Sequence, residues 1–161
     1  MNAHNLFDMS EKTVIITGAA GLLGSQYAEG LSQAGSNVVL ADINYNECKK
    51  LAKNIREKYS VDPLPIKLDI TNKSNLHEKK SVFNEVDTLI HLVSKIDAGA
   101  DITNTGIESV NVNVKGTLNL LEHLPNLKNV LFTSTYMVYG IPKQNPVTEN
   151  HIQEPHTVYG I

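Results

Sequence analysis

One cysteine, Cys48, is all the thiol chemistry this chain carries. It cannot form an internal disulfide, so a crosslinked scaffold is excluded and a reducing compartment, the cytoplasm, is expected. Basic charge is scarce in any one place. The lysines are spread along the chain and the net charge is −3, which argues against a nucleic-acid surface and against a basic membrane patch. Long apolar runs are missing too. Gly, Thr or Asn breaks each one well short of a bilayer span, so no membrane partner is expected. The stretch MNAHNLFDMSEK holds two acids and no apolar core, unlike a secretory leader. No internal repeat and no low-complexity tract is present.

What is there is ordinary for a globular chain: 161 residues, 41% apolar and 19% charged. That is enough for one domain with a real core. TVIIT at 13–17 is a short β-branched apolar run, a buried strand. Leu23, Tyr27, Ala28, Leu31 and Ala34 then recur at helical spacing, and Gly35 is a natural stop. NVVLA at 37–41 is a second strand. Asn44 caps the next helix with Glu47 three residues on, as in a capping box. That helix turns Cys48, Leu51, Ala52, Ile55 and Tyr59 inward. LPIKLD at 64–69 is a third strand, and the polar stretch 72–84 a weaker helix. DTLIHLV at 87–93 and NVLFTS at 129–134 are the fourth and fifth strands. Between them Val110, Val114, Leu118, Leu121 and Leu124 line a long helix that Pro125 ends. Strands alternating with helices predict right-handed βαβ units and a parallel sheet, covered on both faces because its strands are apolar throughout. The expected class is α/β, a doubly wound Rossmann-type parallel sheet of about five strands.

The densest chemistry lies in TGAAGLLGS, Thr17 to Ser25. Glycines at 18, 21 and 24 follow a strand and open a helix in the first βα unit. Gly18 suits a tight turn, Gly21 a close backbone approach to a pyrophosphate, and Gly24 close packing of helix on sheet. The helix start supplies free N–H groups and partial positive charge for the anion. Asp42 closes the second strand about 20 residues later, where a carboxylate accepts the ribose hydroxyls and repels a 2′-phosphate. No Arg or Lys neighbours it, so NAD is favoured over NADP. Asp69 and Ile70 end the third strand, where an adenine edge could lie. Asp69 is equally an ordinary cap before a helix. His151 and His156 lack a further ligand cluster, so no metal is expected. Asp97 and Asp101 read as solvated loop acids.

TGAAGLLG, the DI at 69–70, NVKGT at 113–117, TSTYMVYG at 133–140 and the closing VYG resemble the short-chain dehydrogenase/reductase family. The second half resembles its extended branch of nucleotide-sugar epimerases and dehydratases. Up to about residue 75 the chain also resembles the single-domain reductases. The resemblance implies that Thr135 hydrogen-bonds the substrate oxygen, that Tyr159 exchanges a proton with it, and that Asn113 orders the site. It adds Leu22, Leu23 and Leu92 to the cofactor contacts. It implies a nucleotide sugar or other small molecule as substrate, and a homodimer. The other reading of these residues stands beside it: tyrosines as packing aromatics, Thr135 as a strand-end cap, Asn113 as a surface residue. Small residues are usual after strand 4 in the family. Val93 stands there instead, expected to crowd the cofactor, and Lys95 has no family role.

In the family a Lys follows the tyrosine by four positions, which falls beyond Ile161. The resemblance therefore implies an incomplete NAD(P)-binding Rossmann domain over 1–161, without the substrate domain and with little or no activity. A non-catalytic NAD-binding module and a non-functional gene remnant are the alternative expectations. Strand 5 is expected to be an exposed apolar edge.

Overall fold

In the computed structural model, residues 7–59, 61–96, 105–157 and 159–160 are described. Asp97, Asp101, the first six residues and Ile161 lie outside them.

The β-branched runs form the strands as their composition requires. They are β1 (Thr13–Thr17), β2 (Asn37–Asp42), β3 (Leu64–Lys67), β4 (Thr88–His91) and β5 (Asn129–Phe132). All pair in parallel, in the order β3-β2-β1-β4-β5. The sheet is the doubly wound one expected, with β1 at its centre. Alternate residues feed opposite faces. Ile15, Val39 and Leu89 meet Leu76, Phe83 and Leu120 on one side, while Val14, Ile16 and Leu40 meet Ala28, Cys48 and Ile55 on the other. Each fully buried Leu, Ile or Phe contributes roughly 1.5–3 kcal/mol.

Helix α1 (Leu22–Gln33) ends where Gly35 predicts. Gly35 sits at φ +88°. Ser36 N–H reaches the Leu31 carbonyl at 3.0 Å and Gly35 N–H the Ser32 carbonyl at 3.1 Å, a paired closure of the helix end. The inner face differs from the expected one. Gly24, Ala28 and Ser32 are buried, whereas Leu23 and Tyr27 are exposed. At Gly24 the reason is distance, since the helix there lies directly against the main chain of Gly18 and Ala19.

Helix α2 (Tyr45–Tyr59) is capped by Asn44, whose side-chain oxygen accepts the Glu47 N–H at 3.4 Å. The reciprocal half of the expected box is not formed. Asn44 N–H donates to Asp42, and Glu47 pairs with Lys50. The polar stretch after β3 splits into α3 (Lys73–His77) and α4 (Lys80–Phe83), interrupted at Lys79 (φ −96°, ψ 7°).

The long helix before β5 starts as α5 (Thr105–Ser109), passes through a π-helical segment (Val110–Gly116) and continues as α6 (Thr117–Glu122). Most of the expected stripe faces outward. Val110, Val114, Leu118 and Leu121 are exposed, whereas Leu124 is buried as expected, together with Gly116 and Leu120. A π segment bonds one residue further along the chain than an α-helix, so positions at α spacing before and after it do not share a face. At the sheet's edge β5 leaves Val130, Leu131 and Phe132 about half exposed, as its apolar sequence and edge position lead one to expect.

Candidate functional site

The C-terminal ends of β1, β4 and β5 open into one cleft of about 500 Å³. Its near wall is the glycine turn. Gly18, at φ +77°, lets the chain turn sharply off β1. A Cβ on Gly24 would stand 2.2 Å from the Gly18 carbonyl oxygen, so any side chain there must push α1 off the turn. Gly21 occupies the N-cap position with no side-chain cap, and the first turn of α1 carries no acid. The N–H groups of that turn, at Leu22 and Leu23, thus face the cleft with the positive end of the helix and no carboxylate against them.

Asp42 anchors the same turn from β2. Its Oδ2 accepts the Ala20 N–H at 3.1 Å and its Oδ1 the Asn44 N–H at 2.9 Å. Each carboxylate oxygen has a further lone pair for a hydroxyl. Asp42 is not itself part of the cleft lining; it stands at the rim of the turn.

Asp69 and Ile70 are placed differently from the other expected cofactor residues. Asp69 Oδ1 accepts from the Thr71 N–H and hydroxyl, at 2.9 and 2.6 Å, in a local turn, while the cap of the following helix is Asn72. Ile70 is buried in the core beside Gly116, and its carbonyl accepts from Asn119 Nδ2 at 3.3 Å. Neither lines the cleft, and the Ile70 side chain is unavailable to a ligand there. Leu92 does line it. Its side chain also packs against the core, and its main chain is the surface Gly18 approaches. Val93 rests against the Ile15–Phe83 core as well as edging the cleft, so part of its bulk is turned away from a ligand.

The far wall carries Asn113, Thr135 and Tyr159. Asn113 lies in the π segment and holds both ends of the Lys95 residue: Oδ1 accepts its N–H at 2.7 Å and Nδ2 donates to its carbonyl at 3.0 Å. Asn113 is half-buried. Thr135 caps the 3₁₀ turn Tyr136–Tyr139 rather than the strand end, accepting the Met137 N–H at 3.3 Å. It lines the cleft as well.

Tyr159 arrives by a long loop that folds back on that turn. Gly140, at φ +61°, would bring a Cβ within 2.0 Å of the Glu154 carbonyl, and Gly160 one within 2.7 Å of the Met137 carbonyl. The two Tyr-Gly pairs thus seat the loop on the turn and bring Tyr159 to the side of Thr135's cleft. The recurring pair at 139–140 and 159–160 was the available signal for this packing.

His91, to which sequence reasoning gave no role, lies beneath the cleft at 2% exposure. Burial pushes its pKa down to about 4, so the ring is neutral near pH 7. Its Nδ1 is 2.7 Å from Thr17 Oγ1 and its Nε2 2.9 Å from Thr117 Oγ1, and it stacks on Phe132. No group of three His, Cys, Asp or Glu comes together among the described residues. No described helix is long and apolar enough to cross a membrane.

Comparison with known proteins agrees with this fold. The family model described as "NAD dependent epimerase/dehydratase family" matches residues 14–161. A rice (Oryza sativa subsp. japonica) UDP-glucose 4-epimerase 2 is 32% identical over 155 residues, covering 92% of this chain and 37% of that protein. The UDP-glucose 4-epimerase of Yersinia enterocolitica is 32% identical over 141 residues, covering 85% and 41%. Among solved structures, UDP-glucose 4-epimerase from Bifidobacterium longum in complex with NAD+ and UDP superposes with a TM-score of 0.78 at 26% identity, over 92% of this chain and 45% of that one. The chain thus spans less than half the length of these relatives.

Proposed function

The chain belongs to the NAD dependent epimerase/dehydratase family, and from that premise we propose that residues 1–161 form the NAD-binding domain of an oxidoreductase acting on a nucleotide sugar. The observation that carries this is the single cleft into which the uncapped glycine turn, Asn113, Thr135 and Tyr159 all open. The turn offers main-chain N–H groups to a pyrophosphate, and Asp42 offers acceptors to a ribose diol while its charge disfavours a 2′-phosphate. NAD bound here would accept or return a hydride.

The chain's own residues do the rest. Thr135 Oγ1 orients the reacting sugar oxygen, and the Tyr159 hydroxyl takes or gives its proton as that oxygen passes between alcohol and ketone. Asn113 keeps the loop after β4 in place beneath them. The rice and Yersinia relatives are UDP-glucose 4-epimerases. A UDP-hexose is accordingly the substrate proposed for the protein to which this domain belongs.

The test is NADH formation on mixing the protein, NAD and a UDP-hexose, compared with Tyr159→Phe. Removing a positioned acid/base lowers rates by about 10²–10⁴. A loss of that size with NAD affinity unchanged supports the role of Tyr159. Equal, measurable turnover in the two proteins contradicts it.

A further inference from the structure

The buried His91 sits where three elements meet, and its hydrogen bonds leave one arrangement of protons. The Thr117 hydroxyl donates to the Asn113 carbonyl at 2.6 Å. A hydroxyl has one proton. With that proton on the Asn113 carbonyl, Thr117 Oγ1 can only accept from the ring nitrogen 2.9 Å away, which requires a proton on Nε2. The neutral ring then has a bare Nδ1, and Thr17 Oγ1 donates to it at 2.7 Å. The chain of donors runs from Thr17 on β1, through His91 on β4, to Thr117 and the carbonyl of Asn113.

We propose that His91 is a positioning residue: as the Nε2–H tautomer it latches Thr117 to β4, and thereby holds the π segment in the shape that lets Asn113 clamp Lys95. The clamp needs that shape because Asn113 must present both amide atoms to one residue, Lys95, at 2.7 and 3.0 Å. Phe132 on β5 covers the ring from the side, with centroids 5.7 Å apart. From β1 the facing group is the Thr17 hydroxyl and from the helix the Thr117 hydroxyl. Burial is the one cause acting on the ring's pKa, so no charged group competes for its protons. A protonated ring would keep its Nε2–H toward Thr117 but carry a second N–H toward Thr17, and that bond would have to reverse.

The latch involves no ligand, and its importance to cofactor binding rests on the function proposed above. The test is therefore made without NAD. The ring ¹⁵N shifts of His91 in the wild-type chain report the tautomer, and amide hydrogen exchange at Lys95 reports the clamp. Three proteins are compared: wild type, Thr117→Val, which removes the hydroxyl, and Thr117→Ser, which keeps it. Thr117 does not line the cleft.

The expected results are an Nε2–H ring in the wild type, Lys95 exchange about tenfold faster in Thr117→Val, and recovery in Thr117→Ser. A tenfold change corresponds to one net hydrogen bond. Protection at Ile15 and Ile16 in β1 should stay unchanged, separating a lost latch from general loosening. An Nδ1–H ring in the wild type overturns the proposal. So does unchanged Lys95 exchange in a folded Thr117→Val. Should Thr117→Val not fold, the wild-type tautomer and the Thr117→Ser exchange still decide.

Discussion

The Asp42 carboxylate reaches across from the end of β2 to accept the N–H of Ala20, in the middle of the glycine turn, at 3.1 Å. One side chain thus shapes the turn and supplies the charge at its rim. Hydrogen bonds to a charged acceptor contribute about 1.5–3 kcal/mol each. Asp42→Ala is expected to weaken NAD binding by about ten- to a hundredfold. Asp42→Asn keeps an acceptor oxygen but loses the charge, and should narrow the preference for NAD over NADP. Calorimetric titration of each variant with both dinucleotides checks this; an unchanged ratio in Asp42→Asn would remove Asp42 from cofactor choice.

Two glycines in α1 should respond in opposite directions to the same substitution. Gly24→Ala drives a Cβ to within 2.2 Å of a main-chain oxygen and 2.7 Å of the Ala19 Cα, which cannot rotate away. Overpacking of this kind costs about 1–3 kcal/mol or more. At Gly30 a methyl group would meet nothing within 4 Å. Gly30→Ala should stabilise by about 0.5–1 kcal/mol through helix propensity. Urea unfolding midpoints of the two variants give both signs in one experiment.

The difference between these glycines was visible in sequence only for Gly24, because the turn motif is local. The same holds for β1, β2 and the Gly35 stop, where a few adjacent residues dictate the backbone. Which side of a helix faces inward was less legible. Leu23 and Tyr27 lost the inner face of α1 to Gly24, Ala28 and Ser32. In the long helix, Val110, Val114 and Leu118 lost it to Gly116 and Leu120. Periodicity reports that an apolar stripe exists, but not that a close approach demands small residues or that a π segment shifts the phase. His91 was hidden for another reason: its partners lie 74 and 26 residues away, and only the fold brings them together.

Acid should destabilise the chain through His91. Its folded pKa is about 4 against 6.5 for a free ring. Between those values the unfolded chain binds the extra proton, so stability rises with pH. The contribution is fully present above about pH 6.5 and is lost as pH falls toward 4, on the order of 3 kcal/mol in all. Unfolding free energies measured across that window should slope upward in the wild type and more shallowly in His91→Gln. Equal slopes would mean that His91 titrates normally.

Cys48 should be unreactive while the chain is folded. Burial first, then the Asp42 and Glu47 charges, push its thiol up to about 12. Since the thiolate is the nucleophile, alkylation at pH 8 is expected to be slow in buffer and fast in denaturant. Its rate then reports opening of the α2 face. Labelling at the rate of a free thiol in buffer would show that α2 does not pack as described.

The most direct test of the account is a calorimetric titration of the folded chain with NAD, run beside NADP. One NAD bound per chain, more tightly than NADP, is the predicted result. A folded chain that binds neither, or that prefers NADP, would contradict the assignment of the glycine turn and Asp42 to this cofactor.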